Sequence, residues 1–418
     1  MKNDNKSSRS RYPCEIQDNF NRRRFLARST VTAAFTIVTP SMVHSFEANS
    51  RIEVGLVGLG GRGSLIARML RDNHKGYQIT ALADYFEQVV QDAGKRLDVP
   101  KTRCFPALSG YKKVIASKVD AIFLETPPCF FPAHAAAAVN AGIHVYMAKP
   151  VAIDVPGSML IGELGKKATK HKQVFLVDFQ VPTEPLNIET VKRCHDGLIG
   201  RIGMLSSFYT DEAFPDPPKS KTLEGRLRHL IWVNDIELGG GFLVNAGIHA
   251  VDAALWMASN IRPMTATGFS QTVRDNAHGD TADVYSITYG FENGLIQNHC
   301  GEHLKNTHGF MCNCVAYGQH GFAEIGYQGK AWLRGNKGGY RGGEVKNLYI
   351  NGITRNLNRF EKNIRQQYYD NPTVQPSVNS TQATILGRKA GRRNDLVTWD
   401  EMIAENQRIE PDLTGLRQ

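Results

Sequence analysis

Ile52-Glu-Val-Gly-Leu-Val-Gly58-Leu-Gly60-Gly-Arg-Gly63 is the stretch that decides the fold of this chain. A short apolar run predicts a β-strand, a Gly-x-Gly-x-x-Gly turn follows it directly, and residues 64–71 then have the apolar spacing of a helix. In a dinucleotide site Gly58 permits the tight turn, Gly60 lets backbone approach a pyrophosphate, and Gly63 lets the helix pack on the strand. The N–H groups at the helix start would bind the phosphates.

The residues around this turn also indicate which nucleotide is bound. A second apolar run, residues 77–83, ends in Asp84, about 20 residues beyond the last glycine. An acidic side chain there accepts hydrogen bonds from both adenosine ribose hydroxyls and repels a 2′-phosphate, so NAD is favoured over NADP. NADP stays an alternative cofactor because of Arg62, since an arginine nearby can bind the extra phosphate. The predicted nucleotide-binding residues here are Gly58, Gly60, Gly61, Arg62, Gly63 and Asp84; the alternative is a glycine-rich turn beside an unrelated surface aspartate.

Length and charge limit the class of protein. A chain of 418 residues is too long for one ordinary hydrophobic core, so two domains are expected. The formal net charge is +10, but no dense block of Lys and Arg with interleaved aromatic residues occurs. We therefore expect no nucleic-acid partner.

Residues 1–48 have the features of a targeting segment rather than of a folded domain. Asn21-Arg-Arg-Arg-Phe-Leu26 precedes a weakly apolar stretch, 27–38, that is too short and polar for a membrane span. This pattern resembles a twin-arginine export signal and predicts a periplasmic or otherwise exported protein that uses the twin-arginine machinery. Because that route moves folded proteins, the cofactor is expected to be tightly bound. The alternative is a disordered basic leader on a cytoplasmic protein.

The seven cysteines do not indicate a metal site or a disulfide scaffold. Cys312-Asn-Cys314, with His299 and His303 nearby, is the best candidate for metal ligands. Side chains alternate between the two faces of a strand, however, so both thiols lie on one face of a predicted strand. In addition, no paired Cys-x-x-Cys occurs. We interpret them as ordinary buried thiols and predict no metal.

Strands and helices alternate between residues 51 and 179. Apolar strand-like runs lie at 52–57, 77–83, 119–125, 143–148 and 173–179, separated by helical stretches near 62–72, 86–97, 109–116, 130–141 and 155–170. This alternation predicts an α/β Rossmann domain, with a parallel sheet and helices on both faces. Its ligand is expected at the carboxyl ends of the strands.

The pattern changes in residues 180–418, which are predicted to form an α+β domain with a mostly antiparallel open sheet. A helical stretch near 184–195 is followed by β-like runs at 202–210, 263–273, 281–290, 294–300, 309–317 and 321–327, with one helix at about 246–258. Residues 338–343, Gly-Gly-Tyr-Arg-Gly-Gly, are interpreted as a flexible loop. Helices near 356–368 and 377–391 close the chain.

Three segments near the expected cleft carry candidate catalytic residues: Glu125-Thr-Pro-Pro128, Met147-Ala-Lys149-Pro150, and the glycine-rich stretch 239–252. Removing the proton from a hydroxyl while hydride leaves needs a base, and His249 suits that role, while Lys149 can polarise the same oxygen. Asn245 lies four residues before His249, so on a helix the two share a face. The alternatives are an interior histidine, a surface lysine and a helix N-cap asparagine.

These motifs resemble the glucose–fructose oxidoreductase/inositol dehydrogenase (Gfo/Idh/MocA) family over most of residues 51–405. The resemblance rests on the glycine turn, Thr126-Pro-Pro128, His144-Val-Tyr-Met-Ala-Lys149-Pro150, the stretch 239–252, and Thr398-Trp-Asp-Glu401. It implies a Rossmann domain and a second domain whose open sheet often forms a dimer face, hence a homo-oligomer, either dimer or tetramer. It also implies an oxidoreductase that transfers hydride between nicotinamide and a hydroxyl of a sugar, polyol or sugar derivative.

The resemblance also assigns residues. It places Lys149, Asn245 and His249 in the substrate site, with Lys149 also at the cofactor, and Thr126, Pro127 and His134 on the nicotinamide side. Two positions depart from the family pattern, because Ala148 replaces a Glu and Asn245 replaces an acid. Asn cannot take a proton, which leaves His249 as the base. Two alternatives stay open: a glycosidase that oxidises a sugar transiently and eliminates its substituent, and a non-catalytic sugar-binding relative.

Overall fold

The computed structural model describes residues 50–212, 222–228, 230–275 and 279–418, with only the backbone at 230 and 231. The predicted twin-arginine leader, residues 1–48, lies outside the described residues. The described residues form one compact unit. Two β-sheets organise its described part.

The first sheet is parallel, with strand order β3-β2-β1-β4-β5-β6 in the described part of the chain. Its strands are β1 (Ile52–Val57), β2 (Tyr77–Asp84), β3 (Cys104–Pro106), β4 (Ala121–Leu124), β5 (His144–Ala148) and β6 (Phe175–Asp178). The helices that alternate with them are α1 (Gly61–Asn73), α2 (Glu87–Leu97), α3 (Gly110–Ala116), α4 (Phe131–Asn140) and α5 (Val155–Lys170). This confirms the predicted parallel sheet; β3 is a strand that the sequence did not indicate.

Side chains that alternate along each strand enter two separate cores, one on each face of this sheet. Phe123 of β4 belongs to the core shared with α1 and α2, whereas its neighbours Ile122 and Leu124 belong to the core shared with α3, α4 and α5. Because both faces are covered, the strands are apolar throughout. The predicted arrangement of helices on both faces is therefore confirmed.

The second sheet is mostly antiparallel, as predicted, and only β7 and β10 pair in parallel among its described strands. Its order is β14-β13-β12-β11-β7-β10-β9-β8-β15. The strands are β7 (Ile202–Asp211), β8 (Thr265–Gln271), β9 (Val284–Gly290), β10 (Ile296–His303), β11 (Met311–Gly318), β12 (Gly321–Gly326), β13 (Gly329–Gly335), β14 (Gly338–Val345) and β15 (Val397–Thr398).

The interpretation of residues 338–343 as a flexible loop was wrong. They begin β14, which pairs with β13. A Cβ at Gly342 would lie 1.7 Å from the carbonyl oxygen of Ala331 on β13. The glycine therefore permits a close approach of two backbones, and such an approach leaves the same sequence signal as flexibility.

The remaining helices of the described residues follow β6 along the chain. They are α6 (Pro185–His195), α7 (Leu223–Arg228), α8 (Ile236–Gly239), α9 (Ile248–Met257), α10 (Leu348–Arg365), α11 (Val374–Arg393) and α12 (Trp399–Glu405), and a π-helical turn, Leu243–Gly247, leads directly into α9. The stretch Ile236–Met257 is long and apolar enough to cross a membrane, but it is entirely buried inside the protein, as a core helix is. Helix α10 returns to the first sheet, where Phe360 packs edge-on against Phe123 and Tyr146.

Candidate active site

The glycine turn after β1 has the geometry that a dinucleotide requires. Gly58 has φ +91°, and a Cβ there would lie 2.7 Å from the carbonyl group of Glu125. A Cβ on Gly63 would lie 1.9 Å from the carbonyl oxygen of Gly58, whereas at Gly60 and Gly61 it would meet nothing within 4 Å. Two glycines therefore allow close packing, and two leave open space at the start of α1, where a pyrophosphate can approach backbone N–H groups.

Asp84 ends β2 beside this turn. Its Oδ2 accepts the N–H of Leu59 at 2.8 Å, and its Oδ1 accepts the N–H of Phe86 at 3.0 Å. Burial raises the pKa of Asp84 above its ordinary value, and these two hydrogen bonds oppose that effect. Each carboxylate oxygen has a further lone pair, so Asp84 can hold the turn and still accept hydrogen bonds from ribose hydroxyls.

Arg62, in the first turn of α1, points towards the opposite half of the sheet. Its Nε lies 3.1 Å from Oε2 of Glu125, another guanidinium nitrogen pairs with Asp178, and a third donates to the hydroxyl of Tyr349 at 3.1 Å. Burial lowers the pKa of Arg62, but the carboxylates of Asp178 and Glu125 outweigh it and raise the net value. Asp178 ends β6, four strands from β2 and Asp84. This position gives no support to Arg62 as a 2′-phosphate ligand.

Lys149, Asn245 and His249 meet in one cavity of about 160 Å³. Lys149 follows β5 and donates a hydrogen bond to the backbone carbonyl of Asn245, 96 residues away in sequence. The cavity lies at the carboxyl ends of β4 and β5, as the parallel sheet predicts. It is lined by Arg62, Glu125, Thr126, Pro128, Phe131, Ala148, Lys149, Gln180, Trp232, Asn245, His249 and Tyr349.

Burial controls the protonation of the cavity's ionisable groups. It lowers the pKa of Lys149 to about 7, aided by the positive charge of Arg62. It lowers the pKa of His249 well below the ordinary value, aided by Lys149 and Arg62, and it raises the pKa of Glu125 to about 7. The imidazole of His249 is therefore neutral at physiological pH and able to accept a proton.

Aromatic rings hold His249 in place. Its ring lies 5.2 Å from that of Tyr327, edge to face, and 6.4 Å from that of Tyr209. Its Nδ1 is buried and has no hydrogen-bond partner in the described part of the chain. A buried polar atom without a partner is costly, and here it belongs to a residue that lines the cavity.

Asn245 is not a helix N-cap, so that alternative was wrong. It lies inside the π-helical turn, and its side-chain amide donates to the carbonyl of Gly239 at 3.3 Å. Asp252, three residues beyond His249, accepts a hydrogen bond from Ser380 of α11 at 2.6 Å and does not line the cavity. The cavity therefore holds Asn245 and His249 but excludes Asp252.

The residues expected on the nicotinamide side lie together at the end of β4. Oγ1 of Thr126 is 3.4 Å from Nδ1 of His134, whose ring is 4.1 Å from that of Tyr111. Burial lowers the pKa of His134 to about 3, so it is neutral. Thr126 lines the cavity, whereas His134 lies behind it and orients the threonine; Pro127 precedes the 3₁₀ turn Pro128–Phe130.

Sequence reasoning placed Glu125 in a candidate segment but gave no role to Gln180 and Tyr349, which also line the cavity, or to Asp178, which pairs with Arg62 beside it. Asp178 ends a strand of the first sheet, and Gln180 follows it, so the rule that ligands bind at carboxyl ends could have identified both. Tyr349 carried no such signal, because it is 287 residues from its partner Arg62.

The cysteine candidates do not line this cavity. Cys312 and Cys314 are both buried on β11, and burial raises the pKa of each thiol well above its ordinary value. In the described ranges no group of three or more His, Cys, Asp or Glu side chains could hold a metal ion. The absence of a bound metal remains a prediction.

Two family models match this chain and together cover more than half of it. Residues 52–179 match the model of an oxidoreductase family with an NAD-binding Rossmann fold, Gfo/Idh/MocA. Residues 189–324 match the Gfo/Idh/MocA C-terminal domain.

Individual relatives are distant. The chain is 27% identical over 183 residues to a 1-carboxy-3-chloro-3,4-dihydroxycyclo hexa-1,5-diene dehydrogenase of Comamonas testosteroni, covering 43% of this chain and 41% of the relative. It is 22% identical over 284 residues to inositol 2-dehydrogenase 4 of Saccharopolyspora erythraea, covering 67% of this chain and 75% of the relative. A solved scyllo-inositol dehydrogenase from Lactobacillus casei, with bound NAD(H) and scyllo-inositol, has a TM-score of 0.65 at 17% identity, covering 84% of this chain and all of that one.

Proposed function

The chain belongs to the Gfo/Idh/MocA family of oxidoreductases, and from this premise we propose that it is an NAD-dependent dehydrogenase of a sugar, polyol or sugar derivative. The observation that carries the proposal is the meeting of Lys149, Asn245 and His249 in one cavity beside the glycine turn. The polyol class is supported by the names of two similar proteins, which are inositol dehydrogenases.

The residues at the turn fit the cofactor. Gly60 and Gly61 leave open space at the start of α1, and Asp84 has lone pairs for the ribose hydroxyls. The carboxylate of Asp84 would repel a 2′-phosphate, which favours NAD over NADP. When bound, the nicotinamide supplies the acceptor for hydride from the carbon that carries the reacting hydroxyl.

The side chains of the cavity would handle the proton of that hydroxyl. His249, which is neutral, accepts the proton as the carbonyl group forms. Lys149 donates a hydrogen bond to the same oxygen, and its pKa of about 7 lets it be charged or neutral near physiological pH. Asn245 orients the hydroxyl through its amide and holds Lys149 through its backbone carbonyl.

Substitution of the two ionisable residues tests this assignment. We expect His249→Ala and Lys149→Ala each to lower turnover ~10²–10⁴-fold, because each removes a group acting on the transferred proton. NADH fluorescence titration should show that the cofactor still binds. Matched controls are His171→Ala and Lys166→Ala, both exposed on or beside α5.

Full activity of the double variant His249→Ala/Lys149→Ala would refute the assignment. Turnover of a glycoside with no net change in nicotinamide absorbance would instead identify oxidation, elimination and return of the hydride. Purified protein that cannot bind nicotinamide would identify a sugar-binding relative without this chemistry.

We also propose export by the twin-arginine machinery with the cofactor tightly bound. The support is the segment Asn21-Arg-Arg-Arg-Phe-Leu26 followed by a weakly apolar stretch. Cell fractionation measures the compartment in which the protein is found. Mass spectrometry of the native protein identifies its mature N-terminus and any nicotinamide that it retains. A protein found only in the cytoplasm with residues 1–45 intact would contradict it.

A homo-oligomer, dimer or tetramer, is the assembly we propose. Helices α6, α9 and α11 pack on one face of the second sheet, whereas large apolar side chains are exposed on its strands: Met204, Phe269, Ile296 and Tyr317. Apolar patches of this kind mark protein interfaces. Light scattering should show a multimer, and Phe269→Glu should weaken it; a monomeric wild-type protein would contradict the proposal.

A further inference from the structure

A second cavity, of about 270 Å³, lies apart from the candidate active site and is larger than it. It is bounded by the start of α5, by α11 and by the segment after α12. Four of its lining residues are cationic, Arg388, Lys389, Arg392 and Arg393, and one, Asp154, is acidic. Nothing in the proposed oxidoreductase chemistry uses this cavity.

Two of these cations, Arg388 and Arg392, form no ion pair with the described residues. Arg388 is 7% exposed and donates only to neutral backbone oxygens, at 2.7 Å to Gly240 and 3.1 Å to Ile153. Arg392 lies one helical turn further along α11, is exposed, and forms no ion pair with the described residues. Like charges at this spacing repel. Burial, together with the charge of Arg392, lowers the pKa of Arg388 to about 10.

The other charges around the cavity are largely compensated. Lys389 pairs with Glu405, and Arg393 pairs with Glu401 and Glu405. Asp154 accepts the N–H of Gly157 at 2.8 Å and that of Ile409 at 2.9 Å through its two carboxylate oxygens. Asp280, which accepts the N–H of Ile236 at 2.8 Å, lies outside the lining and also acts on the charge of Arg388. Among the residues that line the cavity, Arg388 and Arg392 are the two cations without an ion pair, and Asp154 is the one acid.

We propose that this cavity is a binding site for a small oxyanion, a phosphate or carboxylate group, held between Arg388 and Arg392. Guanidinium groups bind such oxygens in pairs, with charge-assisted hydrogen bonds. The bound anion would offset the repulsion between the two arginines and the cost of burying Arg388.

The same arginine links this site to the active site. Arg388 joins the carbonyl of Ile153, four residues after Lys149, to that of Gly240, five residues before Asn245. It therefore ties together the two segments that carry the catalytic candidates. A bound anion would hold Arg388 in this position, so its occupancy would stabilise the geometry of the active site.

Isothermal titration calorimetry with inorganic phosphate, at an ionic strength held constant with potassium chloride, tests the proposal. We expect saturable binding of one phosphate per chain and a rise in Tm with phosphate concentration. Arg392→Ala should weaken the affinity at least tenfold, about 1.4 kcal/mol, without unfolding the protein, because the side chain is exposed. Arg359→Ala, an exposed arginine on α10 away from the cavity, is the matched control and should bind phosphate as the wild type does.

A parallel titration with acetate distinguishes the two sources of the oxyanion. Tighter binding of phosphate would indicate a phosphorylated ligand, and tighter binding of acetate would indicate a carboxylate ligand. No saturable binding of either anion, or equal affinity in Arg392→Ala and the wild type, would overturn the proposal. These measurements need no turnover, so their outcome is independent of the proposed dehydrogenase activity.

Discussion

Gly60→Ala is the substitution that best separates the nucleotide site from the stability of the fold. Gly60 precedes α1 with φ −66° and ψ −160°, so its backbone needs no positive φ. An added Cβ would meet no protein atom within 4 Å. The methyl group would instead project into the open space at the start of α1, which we assign to the pyrophosphate.

Gly60→Ala should change the stability of the fold much less than it changes the affinity for NADH. Because no contact inside the protein is disturbed, the free energy of unfolding should fall by at most about 1 kcal/mol, the cost of Ala at a helix N-cap. The methyl group prevents the close approach of pyrophosphate to backbone, so we expect at least a tenfold loss in NADH affinity, about 1.4 kcal/mol. Gly63→Ala should instead act mainly on the stability of the fold, because its Cβ would lie 1.9 Å from the carbonyl oxygen of Gly58. Moving α1 to relieve that overlap should destabilise the fold by roughly 1–3 kcal/mol or more.

Urea denaturation measures the free energy of unfolding of both variants, and NADH fluorescence titration measures their affinity. The decisive comparison is between the two effects of Gly60→Ala, a small change in the free energy of unfolding and a large loss of NADH affinity. Wild-type affinity for NADH in a folded Gly60→Ala protein would refute the placement of the pyrophosphate at this turn.

Two further predictions concern stability. Burial raises the pKa of Asp252 to about 7; since this exceeds the unfolded value, stability should be lost as pH rises from about 4 to 7. Asp252→Asn keeps an acceptor for Ser380 and removes the charge. Urea denaturation should therefore show that it stabilises the fold by roughly 2–4 kcal/mol at pH 8 and hardly at all at pH 4. An equal effect at both pH values would contradict this. Phe360→Ala should lower the free energy of unfolding by about 3–5 kcal/mol, because this buried ring joins α10 to the first sheet. The control Tyr368→Ala, at an exposed ring, should lower it little. Equal losses in the two variants would contradict the packing argument.

Local sequence determined the nucleotide-binding half of the site. Gly58, Gly60, Gly63 and Asp84 lie within one strand–turn–helix–strand segment, so their spacing along the chain fixes their spacing in space. The fold class followed from the same kind of signal, because buried parallel strands are apolar throughout and alternate with helices. Residues 338–343 were misinterpreted as a loop because a close backbone approach, as at Gly342, is not visible without the partner strand.

The sequence by itself thus determined the parallel sheet, the turn that fits a dinucleotide and the candidate residues Lys149 and His249. Only the tertiary structure decided how they combine, because the decisive contacts join residues far apart in the chain. Lys149 reaches the carbonyl of Asn245 across 96 residues, and Arg62 reaches Tyr349 across 287. Burial, which only the folded chain creates, then lowers the pKa of His249 and keeps its imidazole neutral.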